Sequence, residues 1–208
     1  MKFLIIDDHA IVRKGLSQLL KEEFASAEVE EIGDTSVVFE KAGSKIWDVI
    51  LLDISMPGRN GLDVLKQLRA DGIKAPVLML SMHPEDQYAL RTLKAGASGF
   101  LNKESATEEL IAAVHKVLSG RKYVSAALAE KLAEGAGSVS EKPGHELLSD
   151  REMQVLQLIS SGKTVSEIAE EISLSVNTIS TYRNRILEKL KLHNNAELTR
   201  YALDNSLV

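Results

Sequence analysis

The sequence contains no cysteine among its 208 residues. This absence excludes disulfides, thiolate metal sites and cysteine nucleophiles, and it fits a reducing cytoplasm. No apolar run approaches the roughly 20 residues that span a bilayer, and the first residues lack the architecture of a signal peptide. We therefore expect a cytoplasmic protein. An excess of basic residues is also missing, because the net charge of −5 argues against a surface coated in basic charge for nucleic acid. It leaves room for a local basic patch.

Short apolar runs, each followed by a polar side chain, are the most informative feature present. The runs are Phe3–Ile6 before Asp7 and Asp8, Val49–Leu52 before Asp53, Val77–Leu80 before Ser81, and Phe100–Asn102 before Lys103. Near-continuous apolar runs of this length indicate strands that are buried on both faces of a parallel sheet. Ligands bind at the carboxyl ends of such strands. Three acids, one hydroxyl and one ammonium group are therefore expected at a single sheet edge.

Strand patterns alternate with amphipathic helical patterns from residue 1 to about residue 120. The predicted strands are 2–7, 28–33, 48–53, 76–81 and 98–101, and the predicted helices are 10–24, 35–44, 60–71, 84–95 and 105–119. This alternation predicts a doubly wound, five-stranded parallel sheet of the α/β class with helices on both faces. Capping-box spacing at 105–108 marks the start of the fifth helix, and Pro84 suits a first helical turn.

The pattern changes after the fifth helix. Residues 125–134 indicate one more short helix, and residues 135–144 lose all periodicity and are rich in small residues, glycine and proline. We interpret them as a flexible linker. The predicted domain limits are 1–120 for the first domain, 121–147 for the connecting helix and linker, and 148–208 for the second domain.

The second domain is predicted to be entirely helical, with four helices. Capping boxes at 149–152 and 164–167 begin the first two helices, Ser175 caps the third through about Leu190, and the fourth runs from about 195 to 205. Gly162 stands where the C-terminal cap of the first helix belongs.

The acidic cluster predicts cation and phosphoryl chemistry. A single aspartate at a strand end is usually a turn residue or a helix cap. Asp7 and Asp8 facing Asp53 would repel one another, however, and burying them together raises their pKa values or requires a cation. Mg²⁺ prefers such oxygen ligands. A carboxylate beside Mg²⁺ can attack phosphorus to form an aspartyl phosphate, and Lys103 and Ser81 are candidates to contact the phosphoryl oxygens.

The first 120 residues resemble the receiver domain of bacterial two-component response regulators. The matching residues are Asp7–Asp8, Asp53 with Met56–Gly58 and Asn60–Gly61, Ser81, Ala95–Ala97 with Gly99–Phe100, and Lys103. The resemblance implies a CheY-like (flavodoxin-like) fold. It also implies that Asp53 accepts the phosphoryl group, that Lys103 contacts it, and that Mg²⁺ binds to Asp7, Asp8, Asp53 and the backbone carbonyl of Ser55.

The same resemblance implies a switch, in which Ser81 moves toward the phosphoryl group and lets the ring of Phe100 turn inward. Many receivers have tyrosine at this position, so Phe100 offers no hydroxyl group for a partner to recognise. Two simpler interpretations stay open: Phe100 as a plain core residue, and Ser81 as a turn residue at the end of its strand.

The third helix of the second domain carries a local excess of basic charge. Its charged residues through position 191 are Arg183, Arg185, Lys189 and Lys191 against Glu188 alone. The apolar residues at helical spacing can face a core, which leaves a face rich in hydrogen-bonding groups for bases and phosphates. A solvated helix face and a purely structural dimerisation module are the alternatives.

Residues 147–208 resemble the LuxR-type helix-turn-helix. The matching residues are Leu148–Glu152, Val155–Leu156, Gly162–Lys163, Glu167–Ala169, Ser175–Ile179 and Leu190. With the receiver, this gives the arrangement of the NarL/FixJ family of response regulators. The resemblance implies a recognition helix at 175–190 that enters the major groove, and dimeric binding to two half-sites.

Two departures from the LuxR pattern are Val165, where asparagine is frequent, and Tyr182, where histidine is common. Base preference is therefore expected to differ from that of better-known members. We expect Ser180, Thr181, Asn184 and Arg185 to face the groove, and Lys163, Thr178 and Arg183 to contact phosphates. Leu198, Tyr201 and Ala202 are candidates either for a dimer contact or for the core.

These observations predict a DNA-binding transcriptional response regulator of a two-component system. A histidine kinase would phosphorylate Asp53 and thereby control dimerisation and promoter binding, and the only other chemistry expected is slow loss of that group. We hypothesise an inactive state that hides the recognition helix against the receiver. One rival is an Mg²⁺-dependent phosphohydrolase, disfavoured because haloacid-dehalogenase-type enzymes have an acid at the position of Ser55. The other is a DNA-binding protein that does not depend on phosphorylation.

Overall fold

The computed structural model describes residues 1–82, 85–126, 128–130, 144–205 and 207–208. The chain divides into two compact units, Met1–Ser138 and Val139–Val208. Pro84 and the predicted linker through residue 143 lie outside the described residues. Of the predicted helix at 125–134, residues 125, 126 and 128–130 are described; Ser125 is not helical, and the other four are. Among the described residues, no helix has both the length and the apolar character needed to cross a bilayer.

The first unit contains a five-stranded parallel sheet, which confirms the predicted fold class. Its strands are β1 (Lys2–Ile6), β2 (Glu28–Ile32), β3 (Val49–Asp53), β4 (Val77–Ser81) and β5 (Gly99–Asn102), in the spatial order β2-β1-β3-β4-β5. The helices are α1 (Ala10–Glu23), α2 (Val38–Ser44, after a 3₁₀ turn at Thr35–Val37), α3 (Gly61–Ala70), α4 (Glu85–Lys94) and α5 (Ala106–Leu118). β1 and β3 are neighbours, and the chain leaves them in opposite directions. This is the switch point where doubly wound sheets bind ligands.

Alternate residues of the strands pack on opposite faces of the sheet. Phe3 and Leu51 belong to a buried cluster with Leu20 of α1 and with Leu110 and Val114 of α5. The intervening residues, which side-chain alternation directs to the other face, are equally inaccessible to solvent. Burial on both faces explains why the strands appear in the sequence as uninterrupted apolar runs.

The predicted capping box at the start of α5 is wrong. Ser105 makes no side-chain cap, and its φ of −95° and ψ of −2° are near-helical. A capping serine needs an extended backbone so that its oxygen faces the free N–H groups of the first turn. Here the Ser105 hydroxyl instead donates to the Asn102 carbonyl at 3.3 Å, while the Asn102 side chain accepts from the Glu104 N–H at 2.9 Å. The turn after β5 is therefore closed by Asn102.

The second unit has the four predicted helices. They are α6 (Asp150–Ser160), α7 (Val165–Glu171), α8 (Val176–Leu190) and α9 (Asn195–Asp204), after a 3₁₀ turn at Gly144–Leu147. Both predicted capping boxes are present, with Ser149 and Thr164 as N-caps. Ser175 caps α8 by accepting from the Thr178 N–H at 3.1 Å. Gly162 has a φ of +91°, the left-handed conformation expected just beyond the end of α6.

Candidate functional sites

The carboxylates predicted to converge lie together at the carboxyl edge of the sheet. Asp7 and Asp8 follow β1 directly, and Asp53 is the last residue of the neighbouring β3. Asp7 and Asp53 are 0% and 1% exposed, whereas Asp8 is partly open to solvent. Two buried acids and one accessible acid therefore form a small negatively charged cluster.

Lys103 enters this cluster from the end of β5. Its ammonium nitrogen lies 2.6 Å from Asp7 Oδ2 and 3.0 Å from Asp53 Oδ2, and its side chain is only 5% exposed. The backbone N–H of Lys103 donates to the Ser81 carbonyl at 2.8 Å, which ties it to the end of β4. One buried cation thus pairs with both buried acids.

Lys103 does not fully compensate the cluster. Burial raises the pKa of the Asp53 carboxyl group to about 6; the Lys103 ammonium lowers this pKa, and the charge of Asp7 raises it. Within the described chain, four buried oxygens accept no hydrogen bond of good geometry beyond their ion pairs: Asp7 Oδ2, Asp8 Oδ1 and both oxygens of Asp53. The Ser55 backbone N–H lies near enough to the Asp53 carboxylate to lower its pKa, but it does not offset the effect of burial. Such oxygens fit a small divalent cation, which would satisfy the lone pairs that a single ammonium group leaves unmet.

The α8 helix presents the predicted polar face to solvent. Ile179 and Ile186 are fully buried against the core, while Asn177, Thr181, Asn184 and Arg185 are exposed. In the part of the chain that is described, the Arg185 guanidinium has no hydrogen bond or ion pair within the protein. An exposed cation with unused donors and neighbouring amide and hydroxyl groups is suited to an anionic, hydrogen-bonding surface.

Comparison with known proteins assigns both units. The family model described as "Response regulator receiver domain" matches residues 3–115, and the one described as "Bacterial regulatory proteins, luxR family" matches residues 146–202. The chain belongs to the NarL/FixJ family of two-component response regulators. It is a DNA-binding transcriptional regulator that joins a receiver to a LuxR-type domain, and its family is not one of classical enzymes.

Similar proteins match this response regulator along nearly its whole length. The response regulator UvrY of Escherichia coli K12 is 32% identical over 206 residues, covering 98% of this chain and 94% of UvrY. The oxygen regulatory protein NreC of Staphylococcus carnosus is 32% identical over 215 residues, covering 100% and 99%. The structure of RcsB from Salmonella enterica serovar Typhimurium, bound to the promoter rprA with the phosphomimetic BeF₃⁻, has 26% identity and a TM-score of 0.67, covering 97% of each chain.

The predicted switch residues of the response regulator lie next to the acidic cluster. Ser81 is the last residue of β4, one position beyond the partner of Asp53 in the sheet, and it is fully buried. Phe100 pairs with Met79 in the sheet, and its ring is 1% exposed. In this conformation Phe100 therefore occupies the core, as the simpler interpretation has it, and its role in switching stays a prediction. Ser55 lies in the loop directly after β3 and is half-buried.

The three predicted phosphate contacts of the response regulator all have partners within the protein. Arg183 Nε donates to Asn195 Oδ1 at the start of α9, Lys163 pairs with Glu171, and the Thr178 and Ser175 hydroxyl oxygens are 2.8 Å apart. Ser180, predicted to face the groove, is half-buried. The structure therefore groups Thr181, Asn184 and Arg185 on one open face, whereas the half-buried Arg183 contacts α9.

The candidate dimer residues on α9 are mostly core residues. Leu198 and Ala202 are 0% exposed. The half-buried Tyr201 hydroxyl accepts from the His145 backbone N–H at 3.1 Å. Leu198 and Ala202 therefore stabilise the helical unit from within, and neither presents a surface to a second copy.

The sequence predicted no contact in the acidic site for three residues that shape it, although one of them, Gly61, is part of the receiver pattern. Arg13 Nη1 donates to the Asp7 carbonyl at 2.6 Å, and the His9 ring lies beside Asp8. Gly61 approaches the Asp53 backbone so closely that a Cβ at this position would lie 1.9 Å from the Asp53 carbonyl oxygen. The available signals were the adjacency of His9 to Asp8 and the place of Gly61 in the receiver pattern, whereas the contact of Arg13 depends on how α1 packs against the sheet.

Proposed function

We propose that this response regulator accepts a phosphoryl group on Asp53 from a sensor histidine kinase. The proposed Mg²⁺ ligands are the carboxylates of Asp7, Asp8 and Asp53 and the backbone carbonyl of Ser55. The observation that carries the proposal is the Asp53 carboxylate itself, which is buried, lies 3.0 Å from the Lys103 ammonium and clusters with the carboxylates of Asp7 and Asp8. A carboxylate held next to a cation in a buried site is arranged for attack on phosphorus.

The transfer requires few groups. A bound Mg²⁺ would neutralise the carboxylates and the incoming phosphoryl oxygens. An Asp53 oxygen forms the new bond to phosphorus, while the phosphorus–nitrogen bond of the kinase phosphohistidine breaks and its electron pair stays on the imidazole. The Lys103 ammonium, already at the Asp53 carboxylate, then pairs with a phosphoryl oxygen.

The proposed response to phosphorylation begins at Ser81. Phosphorylation adds charge and acceptor oxygens at Asp53, and Ser81 is one residue beyond the sheet partner of Asp53. We propose that Ser81 contacts the phosphoryl group and that Phe100 changes its rotamer in response. The Lys103 N–H bond to the Ser81 carbonyl supports this coupling, because it joins the cation of the site to the end of β4.

The proposed output is binding to double-stranded promoter DNA as a phosphorylated homodimer. The similar protein RcsB is bound to the promoter rprA in its structure, and the open face of α8 carries the groups expected to read the major groove. We keep Ser180, Thr181, Asn184 and Arg185 as proposed groove contacts and Lys163, Thr178 and Arg183 as proposed phosphate contacts. The proposed functional limits are 1–120, 121–147 and 148–208, and the proposed location is the cytoplasm, where the DNA is.

Phosphorylation with a small-molecule donor tests the proposal directly. We expect purified protein with Mg²⁺ and acetyl phosphate to gain one phosphoryl group by intact-mass spectrometry. Asp53→Asn should gain none, whereas Asp71→Asn, which changes an exposed aspartate at the end of α3, should behave like the parent. Chelation of Mg²⁺ should abolish the gain in both competent proteins. Equal modification of Asp53→Asn would show that the acceptor has been wrongly assigned.

A further inference from the structure

An imidazole borders the acidic cluster at the end of the loop between β1 and α1. The His9 backbone N–H donates to Asp7 Oδ1 at 2.8 Å, which turns the chain back over the carboxylates. The ring then places Nδ1 2.8 Å from Asp8 Oδ1 and 3.3 Å from Asp7 Oδ1, with its side chain 58% exposed. His9 and Lys103 therefore both contact Asp7, but His9 lies on the solvent side and also contacts Asp8.

The nitrogen lies within the distances that one cation would need. One ligand atom from each of Asp7, Asp8, His9 and Asp53 can be chosen so that all of them lie within 4.8 Å of one another. Around an octahedral ion with bonds of about 2.1 Å, ligand atoms stand roughly 3 to 4 Å apart. The three carboxylates and the imidazole thus need only small side-chain rotations to bind one ion.

The buried oxygens supply the independent reason to expect a cation here. Both oxygens of Asp53 and Oδ2 of Asp7 are inaccessible and accept no hydrogen bond of good geometry among the described residues, and Lys103 is the one cation paired with them there. Charged oxygens that lack donors in a buried site are costly unless an ion binds them. Any divalent cation would remove this cost of burying charged oxygens. The carboxylates alone therefore do not select one cation, and selection depends on the fourth ligand, the His9 imidazole.

We propose that His9 makes this cluster a binding site for first-row transition cations that favour imidazole, with affinity above that for Mg²⁺. Mg²⁺ binds oxygen and gains little from a ring nitrogen, whereas a site with nitrogen and oxygen ligands binds Mn²⁺, Co²⁺ and Ni²⁺ with increasing strength. The inference rests on the proposed cation site and adds a nitrogen ligand to it. Such cations would compete with Mg²⁺ for the carboxylate that accepts the phosphoryl group.

Calorimetric titration of the untagged, full-length, metal-free protein with Ni²⁺ and with Mg²⁺ tests the proposal. We expect His9→Ala to weaken Ni²⁺ binding by about tenfold or more and to change Mg²⁺ binding by less than about twofold. His115→Ala removes another exposed imidazole of the same unit and should leave both affinities unchanged. Paramagnetic broadening of the His9 ring signals by Ni²⁺, lost when Mg²⁺ is in large excess, should show that the two ions share one site.

The two titrations separate the possible failures. Ni²⁺ affinity that is the same in the parent and in His9→Ala would overturn the role of His9, and so would an equal loss for both ions, since the residue would then act through charge or folding. A parent protein that binds Ni²⁺ through His9 but does not bind Mg²⁺ would uphold the inference and refute the proposed Mg²⁺ site. A parent protein that binds neither ion refutes both.

Discussion

Asp53 combines two properties that oppose each other, a buried position and a need to ionise. Its pKa is raised to about 6, so near neutral pH most molecules carry an only partly compensated negative charge inside the protein. The side chain is 1% exposed, and the cation that pairs with it is the Lys103 ammonium group, which also pairs with Asp7. The metal-free receiver should therefore be less stable than its packing alone would make it.

This conflict predicts how the stability of the receiver depends on pH. Because the folded pKa of about 6 exceeds the ordinary unfolded value of about 3.9, the folded state binds more protons between these values. The contribution of Asp53 to stability is therefore fully present below about pH 4 and is lost as pH rises through 6. In metal-free buffer, Asp53→Asn should raise the free energy of unfolding by roughly 1 to 3 kcal/mol at pH 8 and by about a third as much at pH 4.5.

Urea unfolding followed by Trp47 fluorescence measures this effect. Trp47 is the only tryptophan and is buried next to β3, so it reports on the receiver alone. Asp71→Asn should unfold like the parent at both pH values. Added Mg²⁺ should stabilise the parent more than Asp53→Asn. An equal gain for Asp53→Asn at both pH values would mean that the charge of Asp53 is not the cause.

At the scale of helices and strands, the sequence predicts a structure best where neighbouring residues alone determine the conformation. The capping boxes at Ser149 and Thr164 form because both residues precede their helices in extended conformation. The same spacing at Ser105 fails because the turn after β5, closed by Asn102, leaves that residue near-helical. The acids converge because the strands that carry them are parallel, and the sequence predicts this. The positions of His9 and Arg13 depend on the path of the loop between β1 and α1, which the spacing of apolar residues does not predict.

Glu152 links two helices of the DNA-binding unit. Burial acts to raise the pKa of Glu152, but the Lys189 ammonium at 2.6 Å and the Ser149 N–H at 2.7 Å outweigh it, and the pKa lies below its ordinary value. This carboxylate therefore stabilises the fold above the unfolded pKa of about 4.3, and the stabilisation is lost as pH falls through the lower folded pKa.

Glu152→Gln should accordingly destabilise the helical unit by about 1 to 3 kcal/mol at pH 7, and the difference should shrink below about pH 4. Hydrogen exchange of the α6 and α8 amides, measured by mass spectrometry in the full chain, reports on this unit. Glu170→Gln changes an exposed residue of α7 and should leave exchange unchanged. Identical protection of these amides in Glu152→Gln and the parent at pH 7 would show that Glu152 does not stabilise the contact between the two helices.

The open face of α8 predicts a second effect at this scale. Arg185→Ala should weaken DNA binding by about 1 to 3 kcal/mol if the guanidinium contacts a base, while phosphorylation of Asp53 stays intact. Arg200→Ala removes the same charge from an exposed position on α9, where Arg200 pairs with Asp204. Its smaller effect on electrophoretic mobility shifts would separate recognition from net charge. Equal losses in both variants would show that α8 acts only through charge.

At the scale of the whole molecule, the candidate sites of the two units carry charge of opposite sign, although the chain as a whole is acidic. The receiver concentrates three carboxylates at one edge of its sheet. The α8 helix presents exposed positive and polar groups in a protein whose net charge is −5. Affinity for DNA should therefore be modest in a single copy, because repulsion from the acidic remainder offsets the helix. Two copies on adjacent half-sites would double the favourable contacts.

Phosphorylation should thus shift both oligomeric state and DNA affinity. With Mg²⁺ and acetyl phosphate, light scattering should show an increased dimer fraction, and fluorescence anisotropy should show tighter binding to selected promoter fragments. Asp53→Asn should show neither change, and Arg185→Ala should still form dimers. DNA binding by Asp53→Asn that matches the phosphorylated parent would instead support the interpretation in which DNA binding does not depend on phosphorylation.

The contact between Gly61 and Asp53 has a consequence for inheritance. A Cβ at residue 61 would lie 1.9 Å from the carbonyl oxygen of Asp53, and the Gly61 N–H donates to the Ile54 carbonyl at 2.8 Å. Every single-nucleotide missense change of a glycine codon introduces a Cβ. Any missense change at codon 61 would therefore place a side chain against the Asp53 backbone. We expect such variants to be absent from any population that depends on this regulator.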